Sequence, residues 1–132
     1  MFGAEEPMQK VRFHEGETIF SEGDPSTHCY KILSGKVEII LNIPGVLKRG
    51  RTETIATCGA GEIIGEMSVI EKGPRSASAV AIEPTLCKSY TSDEIISLLE
   101  DDPQEALAYV RTMIQRVRRS NRKISWSASQ RE

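Results

Sequence analysis

Short β-type segments alternate with turn signals along the first two thirds of the chain, and this pattern leaves few folds open to it. Clusters of Gly, Pro, Asp and Ser, such as Glu22–Pro25, Ser34–Lys36 and Gly59–Glu62, stand between runs of β-branched and apolar residues. The expected strands occupy 11–14, 18–20, 28–33, 37–41, 52–57, 78–82 and 85–90, with a surface loop at 44–51 and a short polar leader up to about Gln9. Many short strands at this spacing are typical of an antiparallel sandwich or barrel.

Helix signals become frequent only after the β region. Thr91-Ser92-Asp93-Glu94 is a capping sequence that precedes an apolar run. Asp102 followed by Pro103 is typical of the first turn of a second helix. We therefore expect one mainly β domain over 1–132, with a barrel at about 11–90 and two C-terminal helices at about 92–126.

The segment Gly65–Ala79 combines features that suit the binding of a phosphate ester. Its glycine lets the backbone come close to a ligand. The unpaired amides at the start of a short helix from about Met67 would favour an anion. After a Gly-Pro break, Arg75 can add a charge-assisted fork to the same phosphate, and the small residues that follow leave space for a ligand.

Glu66 would repel an anion, so its place in this segment needs a second ligand group. A sugar hydroxyl near the phosphate would donate a hydrogen bond to the carboxylate, and a nucleoside cyclic phosphate carries both groups on one compact ring. Taken singly, Glu66 could cap the following helix and Arg75 could be a solvated surface charge. The order and spacing of the whole segment favour a ligand site over these structural alternatives.

Gly65-Glu66, an apolar helix and Pro74-Arg75-Ser76-Ala77 together resemble the phosphate-binding cassette of the cyclic-nucleotide-binding domain family. Within that family, the chain is most similar to the ligand domain of the bacterial catabolite activator group. The resemblance extends from about Phe13 to Ile124 and implies a jelly-roll β-barrel. It also implies that Arg75 pairs with the cyclic phosphate and Glu66 with the ribose 2′-hydroxyl.

The resemblance implies further ligand contacts around this pair. Ser76 and the backbone amides near Met67, Ser68 and Ala77 would complete the phosphate cradle, and Ile64 and Gly65 would form the wall around the sugar. Ser120 and Asn121 occupy the place on the long helix where the group contacts the base, but their positions equally fit a surface serine and a residue of a helix seam. The full predicted set is Ile64, Gly65, Glu66, Met67, Ser68, Pro74, Arg75, Ser76, Ala77, Ser120 and Asn121.

Ser76 after the arginine is similar to the cAMP-binding bacterial members, so we expect cAMP as the ligand, with cGMP as the second candidate. No cofactor or metal site is expected beyond this ligand. Neither His14 nor His28 has an obvious nucleophile partner or a metal-type spacing, so we expect a receptor and not an enzyme.

The last helix carries a heptad pattern. Its apolar seam consists of Leu107, Val110, Ile114, Val117, Asn121 and Ile124. An amphipathic helix packed on its own barrel would show a similar short pattern. The polar Asn121 within the seam favours a homodimer, as does the resemblance, because catabolite-activator domains dimerise through this helix.

The net charge of −2 argues against nucleic-acid binding by the chain as a whole, although six basic residues and no acid lie between Arg111 and Lys123. A nucleic-acid-associated protein that uses this basic helix remains an alternative. Because no winged helix-turn-helix follows the helix, we expect DNA binding to be absent and the output to pass to a dimer or an unidentified protein partner.

The composition also bears on the cellular compartment. Cys29, Cys58 and Cys87 are odd in number and far apart, which favours buried thiols over a disulfide framework or a metal site. Because the N-terminus lacks a signal-peptide pattern and no apolar run has membrane-spanning length, we expect a cytoplasmic protein.

Overall fold

The structure, a computed structural model, describes residues 9–42 and 52–131, with side chains described as far as Arg118. The predicted surface loop at 44–51 and nearly all of the predicted polar leader lie outside the described residues.

Within these ranges, eight strands and three helices follow one another along the chain. The strands are β1 Gln9–Phe13, β2 Thr18–Phe20, β3 His28–Ser34, β4 Val37–Asn42, β5 Thr52–Cys58, β6 Ile63–Ile64, β7 Ser78–Ala81 and β8 Thr85–Thr91. The helices are α1 Glu66–Glu71, α2 Ser92–Asp101 and α3 Pro103–Arg131. Each expected strand is present within a residue or two of its predicted bounds, whereas β6 was not predicted as a strand.

The strands form two four-stranded sheets, ordered β1-β8-β3-β6 and β2-β7-β4-β5. Every described strand pairing is antiparallel, for example Cys29 with Tyr90 and Ile39 with Ala79. Strands that are adjacent in a sheet are often distant in sequence, as in a jelly roll. The expected antiparallel jelly-roll barrel with C-terminal helices is therefore confirmed.

The core lies between the two sheets, where alternate side chains of each strand point inward. Its fully buried members are mostly small or aliphatic and include Ile32, Val37, Ala79 and Cys87. The cysteines are also free and buried, which confirms the expectation that they act as small hydrophobic residues.

Side-chain caps define the starts of the two C-terminal helices, as predicted. The backbone N–H of Thr91 donates to Glu94 Oε1 at 2.8 Å, and the Glu94 N–H donates to Thr91 Oγ1 at 3.2 Å. At α3, Asp102 Oδ1 accepts hydrogen bonds from the backbone N–H groups of Gln104 and Glu105, both at 3.1 Å. These local interactions fix where each helix begins.

Contacts divide the chain into two compact units, Met1–Ser97 and Leu98–Glu132. The first contains the barrel, α1 and the start of α2, and the second contains the end of α2 and all of α3. The expectation of one domain over 1–132 stays a prediction. None of the helices in the described part of the chain has the length and apolarity that crossing a bilayer requires.

The burial of the cysteines predicts slow thiol chemistry in the folded protein. Burial raises the pKa of Cys29 to about 12 and that of Cys87 to about 11, so both thiols stay protonated at neutral pH. We expect Ellman's reagent to react far more slowly with the native protein than with the protein in guanidinium chloride, where all three thiols should react quickly. Rapid reaction of Cys29, Cys58 or Cys87 in the native protein would contradict their burial.

Candidate functional site

The backbone of Arg75 is fixed by the turn between β2 and β3. The Arg75 N–H donates to the carbonyl of Asp24 at 2.8 Å, and the Gly23 N–H donates to the carbonyl of Arg75 at 2.8 Å. An isolated antiparallel bridge also pairs Pro25 with Pro74. These contacts hold the end of the cassette against the β2–β3 turn, which lies about fifty residues earlier in the sequence.

The side chain of Arg75 lies inside the domain and is only 5% exposed. Its Nη1 donates to the carbonyl of Gly65 at 3.0 Å, and its Nη2 donates to the carbonyl of His28 at 2.5 Å. Its Nε is buried and has no hydrogen-bond partner among the residues that the structure describes. The guanidinium is therefore anchored by its two terminal nitrogens, while its Nε–H has no partner among the described residues.

An aromatic column supports the face of this guanidinium. The Arg75 Cζ lies 4.1 Å from the centroid of the Phe20 ring, within the range of a cation–π interaction. Phe20 stacks on Tyr30 with centroids 6.4 Å apart, and Phe13 meets Tyr30 edge to face at 5.9 Å. Arg75 thus lies at one end of a run of three aromatic rings.

Arg75 keeps its charge in this environment. Burial lowers the pKa of Arg75, and Tyr30, Cys29 and Asp24 partly oppose that decrease. Because the pKa of a guanidinium ordinarily lies above roughly 12, the side chain remains a cation at neutral pH. A largely desolvated positive charge therefore lies beside the cassette helix α1.

Gly65 allows the close approach between α1 and this cation. It is the N-cap of α1 in the left-handed region, with φ +77°. A Cβ at this position would lie 2.6 Å from Arg75 Nη1 and 2.9 Å from Phe20 Cε2. The helix begins at Glu66, one residue before the predicted start. A glycine before Glu66 is thus favoured for two reasons: its positive φ and the lack of space for a side chain.

Glu66 is brought into the same buried region. It is 2% exposed, and its charge acts on the same buried thiol as the charge of Arg75. Burial is the main cause that raises the pKa of Cys29; Glu66 adds to this increase and Arg75 opposes it. The two side chains that the sequence singled out are therefore both buried and within electrostatic range of one residue.

The structure separates the remaining predicted site residues by exposure. Ile64, Ser68 and Ala77 are buried with the charged pair, whereas Met67 is 52% exposed and Pro74 and Ser76 are also exposed. The Ser68 hydroxyl donates to the carbonyl of Gly65 at 3.4 Å, across the first turn of α1. Ser120 and Asn121 lie on α3, but their side chains are outside the described residues. Their assignment to the base stays a prediction.

A surface cavity of about 440 Å³ adjoins the cassette. It lies between the β2–β3 turn, the end of α1 and the start of α2, and is lined by Gly23, Pro25, Ser26, Thr27, Val69, Lys72, Gly73, Pro74 and Ser92. Pro74 is the predicted site residue among them, and neither Arg75 nor Glu66 is part of this lining. The cavity therefore does not reach the charged pair. We place this pair at the centre of the candidate site, because a cation and a carboxylate can bind ligand groups of opposite polarity.

Three contributors to the site were missed in the sequence. Phe20 supports the guanidinium face, Tyr30 supports Phe20, and His28 contributes its backbone carbonyl. A backbone carbonyl leaves no residue-type signal. The contact of Phe20 with Arg75 joins residues that are distant in the chain, so the sequence around either of them carries no signal for it.

A jelly-roll barrel that buries an arginine and a glutamate around a short cassette helix is the arrangement of a cyclic nucleotide-binding domain. The family model described as "Cyclic nucleotide-binding domain" matches residues 10–102 of the chain. The chain belongs to this family, and the resemblance seen in the sequence is confirmed.

The relatives place the chain with the catabolite-activator type of this family. The CRP-like cAMP-activated global transcriptional regulator of Mycobacterium tuberculosis is 33% identical over 118 residues, which cover 89% of this chain and 51% of that protein. The crystal structure of the Thermus thermophilus catabolite activator protein matches with a TM-score of 0.75 and 30% identity, over 92% of this chain and 55% of that one. The chain spans about half the length of the curated regulators that it matches.

Similar domains also occur within enzymes. An EAL enzyme in its cAMP-bound form matches with a TM-score of 0.62 and 31% identity, over 90% of this chain and 30% of that one. Membership of the family therefore fits both a regulator and the sensory part of an enzyme.

The close approach at Gly65 predicts a specific loss of stability. We expect Gly65→Ala to destabilise the domain by about 1–3 kcal/mol more than Gly23→Ala, because a methyl group at 65 must displace Arg75 or Phe20. Gly23 is the matched control, since its φ is also positive (+89°) but an added Cβ would meet nothing within 4 Å. Urea unfolding measures both variants, and equal losses would contradict the steric role of Gly65.

Proposed function

We propose that the domain is a cyclic-nucleotide receptor whose ligand is cAMP, with cGMP as the second candidate. The observation that carries the proposal is the state of Arg75. It is a buried cation whose described hydrogen-bond partners are two backbone carbonyls, neither of which carries a negative charge. Burial of a charge is costly unless it is paired, so this environment favours an anion.

The unsatisfied Nε–H adds to that preference. A buried donor without a partner costs about 1–3 kcal/mol. An oxygen of a cyclic phosphate could accept from this Nε–H and remove the penalty, with the added strength of a charge-assisted hydrogen bond. The cyclic phosphate therefore supplies both the charge and the acceptor that Arg75 lacks.

Glu66 supports a ribose cyclic phosphate over a simple anion. In the proposed complex its carboxylate accepts a hydrogen bond from the 2′-hydroxyl, so the ligand offers opposite polarity to the two buried side chains. The surrounding contacts are those that the resemblance implies, from Ile64, Gly65, Met67, Ser68, Pro74, Ser76 and Ala77, with Ser120 and Asn121 at the base.

The choice of cAMP rests on Ser76 and on the relatives. The Mycobacterium tuberculosis and Thermus thermophilus relatives bear names that refer to cAMP. The EAL enzyme is described in cAMP-bound and cGMP-bound forms, so cGMP stays the second candidate.

The output is proposed to pass through α3. The four described apolar residues of the heptad seam, Leu107, Val110, Ile114 and Val117, are 45–57% exposed. An apolar stripe of this kind favours association with a second copy or with a protein partner. A ligand changes that association only by the difference between its affinities for the two states.

We further propose that the domain acts as a receptor without catalysis of its own. We place it in the cytoplasm, because three free and buried cysteines fit a reducing compartment.

The receptor proposal predicts that the affinity for cAMP depends strongly on the side chain of Arg75. We expect Arg75→Ala to weaken cAMP binding by about 2–5 kcal/mol, roughly 30-fold or more in Kd, because the phosphate would lose a buried, charged hydrogen-bond partner. Isothermal titration calorimetry with cAMP and cGMP measures both affinities.

Arg12→Ala is the matched control, since Arg12 is an exposed arginine on β1 and its removal should leave the affinity unchanged. Failure of both nucleotides to bind the wild-type protein would overturn the proposed function. Binding that survives Arg75→Ala unchanged would overturn the role given to Arg75.

The exposed seam predicts the assembly state. We expect the wild-type chain to form a dimer that Val110→Glu disrupts, because a carboxylate would be placed within an apolar contact. Ala108→Glu is the control, since Ala108 is exposed on α3 outside the seam. Analytical ultracentrifugation with and without cAMP measures both variants. A wild-type monomer under both conditions would contradict the homodimer and leave a separate protein partner as the output.

A further inference from the structure

We infer that Phe20 is a positioning residue for the phosphate-binding arginine. Its ring fixes the orientation of the Arg75 guanidinium, in which the buried Nε–H has no hydrogen-bond partner among the described residues. The part of this inference that concerns nucleotide affinity rests on the proposed function; the part that concerns the orientation of Arg75 does not.

The short segment from Phe20 to Asp24 contacts both the backbone and the side chain of Arg75. Phe20 is the last residue of β2, and the turn that follows it binds the Arg75 backbone through Gly23 and Asp24. The same segment places its ring 4.1 Å from the guanidinium carbon. The backbone and the tip of the side chain are therefore positioned by neighbouring residues, which couples the two placements.

The Phe20 ring restrains a motion of the guanidinium that its hydrogen bonds leave free. The carbonyls of Gly65 and His28 hold the two terminal nitrogens within the guanidinium plane. A planar cation held only at its edge can still tilt, and the negative face of an aromatic ring opposes that tilt. An aliphatic side chain would fill similar space without presenting a flat, electron-rich face.

Phe20 is itself held in place. It stacks on Tyr30 at an interplanar angle of 19°, and its edge lies close to Gly65, which has no side chain. A Cβ at Gly65 would lie 3.1 Å from Phe20 Cζ, so the glycine leaves the space that the edge of the ring needs. The position of the ring is thus defined by the barrel before any ligand binds.

The first test reads the orientation of Arg75 without nucleotide. In a ¹H–¹⁵N spectrum of the whole chain, the Arg75 Nε–H should exchange slowly and lie upfield of the exposed arginines, because it is buried near an aromatic face. The resonance is assigned by its loss in Arg75→Lys. We expect Phe20→Leu to accelerate the exchange of this Nε–H, and Phe13→Leu to preserve its slow exchange, since Phe13 belongs to the same aromatic column and its described ring contact is with Tyr30.

The second test reads affinity for cAMP by calorimetry. We expect Phe20→Leu to raise the Kd about tenfold and Phe13→Leu to change it by less than about twofold. A fluorine-substituted phenylalanine at position 20 keeps the shape of the ring but weakens its negative face, and should give an intermediate Kd. This replacement keeps the test decisive if Phe20→Leu does not fold.

The outcomes separate the two proposals. Fast exchange of the Nε–H in the wild-type protein, or slow exchange that Phe20→Leu leaves intact, overturns the positioning role. Equal loss of affinity in Phe13→Leu and Phe20→Leu also overturns it, because that result indicates a general packing effect. If wild-type protein binds neither cAMP nor cGMP, the proposed function fails, and the spectrum still decides whether Phe20 orients Arg75.

Discussion

The rest of this site depends on the burial of one charged group, the guanidinium of Arg75. Arg75 is almost fully buried, and the domain replaces its hydration with two carbonyl oxygens and one aromatic face. None of these three groups is an anion, so they solvate the charge without neutralising it. A cation in this state is held in a fixed direction and keeps a strong preference for a negative partner.

The jelly-roll topology makes this arrangement possible, because it brings distant segments to the same place. Arg75 precedes β7, the Phe20 ring belongs to β2, and the His28 carbonyl belongs to β3. β2 and β7 are paired in one sheet, while β3 lies in the other. The guanidinium therefore connects the two sheets of the barrel, and its position depends on the placement of both.

The parts of the structure that could be predicted are those determined by local chemistry. The caps at Thr91 and Asp102 are formed by residues two or three positions away, so the helix starts could be located from the sequence. The cassette was also recognisable, because its glycine, carboxylate and arginine all lie in the one segment 65–75. The strand β6 was missed because two apolar residues are too few to show alternation.

The parts that could not be predicted depend on contacts between distant residues. Nothing near Phe20 indicates that it faces Arg75, since the contact exists only after β2 and the cassette have been brought together. The prediction for Ser76 shows the same limit. Its place after the arginine suggested a phosphate contact, but in this structure its side chain is exposed while Arg75 is buried. A residue's order in a motif specifies its neighbours along the chain, not the direction of its side chain.

In the proposed site, the buried charges of Arg75 and Glu66 together select a cyclic nucleotide over other anions. A bare phosphate would satisfy Arg75 but would leave an additional negative charge near the Glu66 carboxylate. A noncyclic nucleotide carries more negative charge on its phosphate and would increase that repulsion. A cyclic phosphate has one negative charge and a hydroxyl on the adjoining carbon, so it can satisfy the cation and the carboxylate together. Under the proposed function, Glu66 thus excludes competing anions as well as binding the sugar, which gives a reason for a buried carboxylate in the same cassette as Arg75.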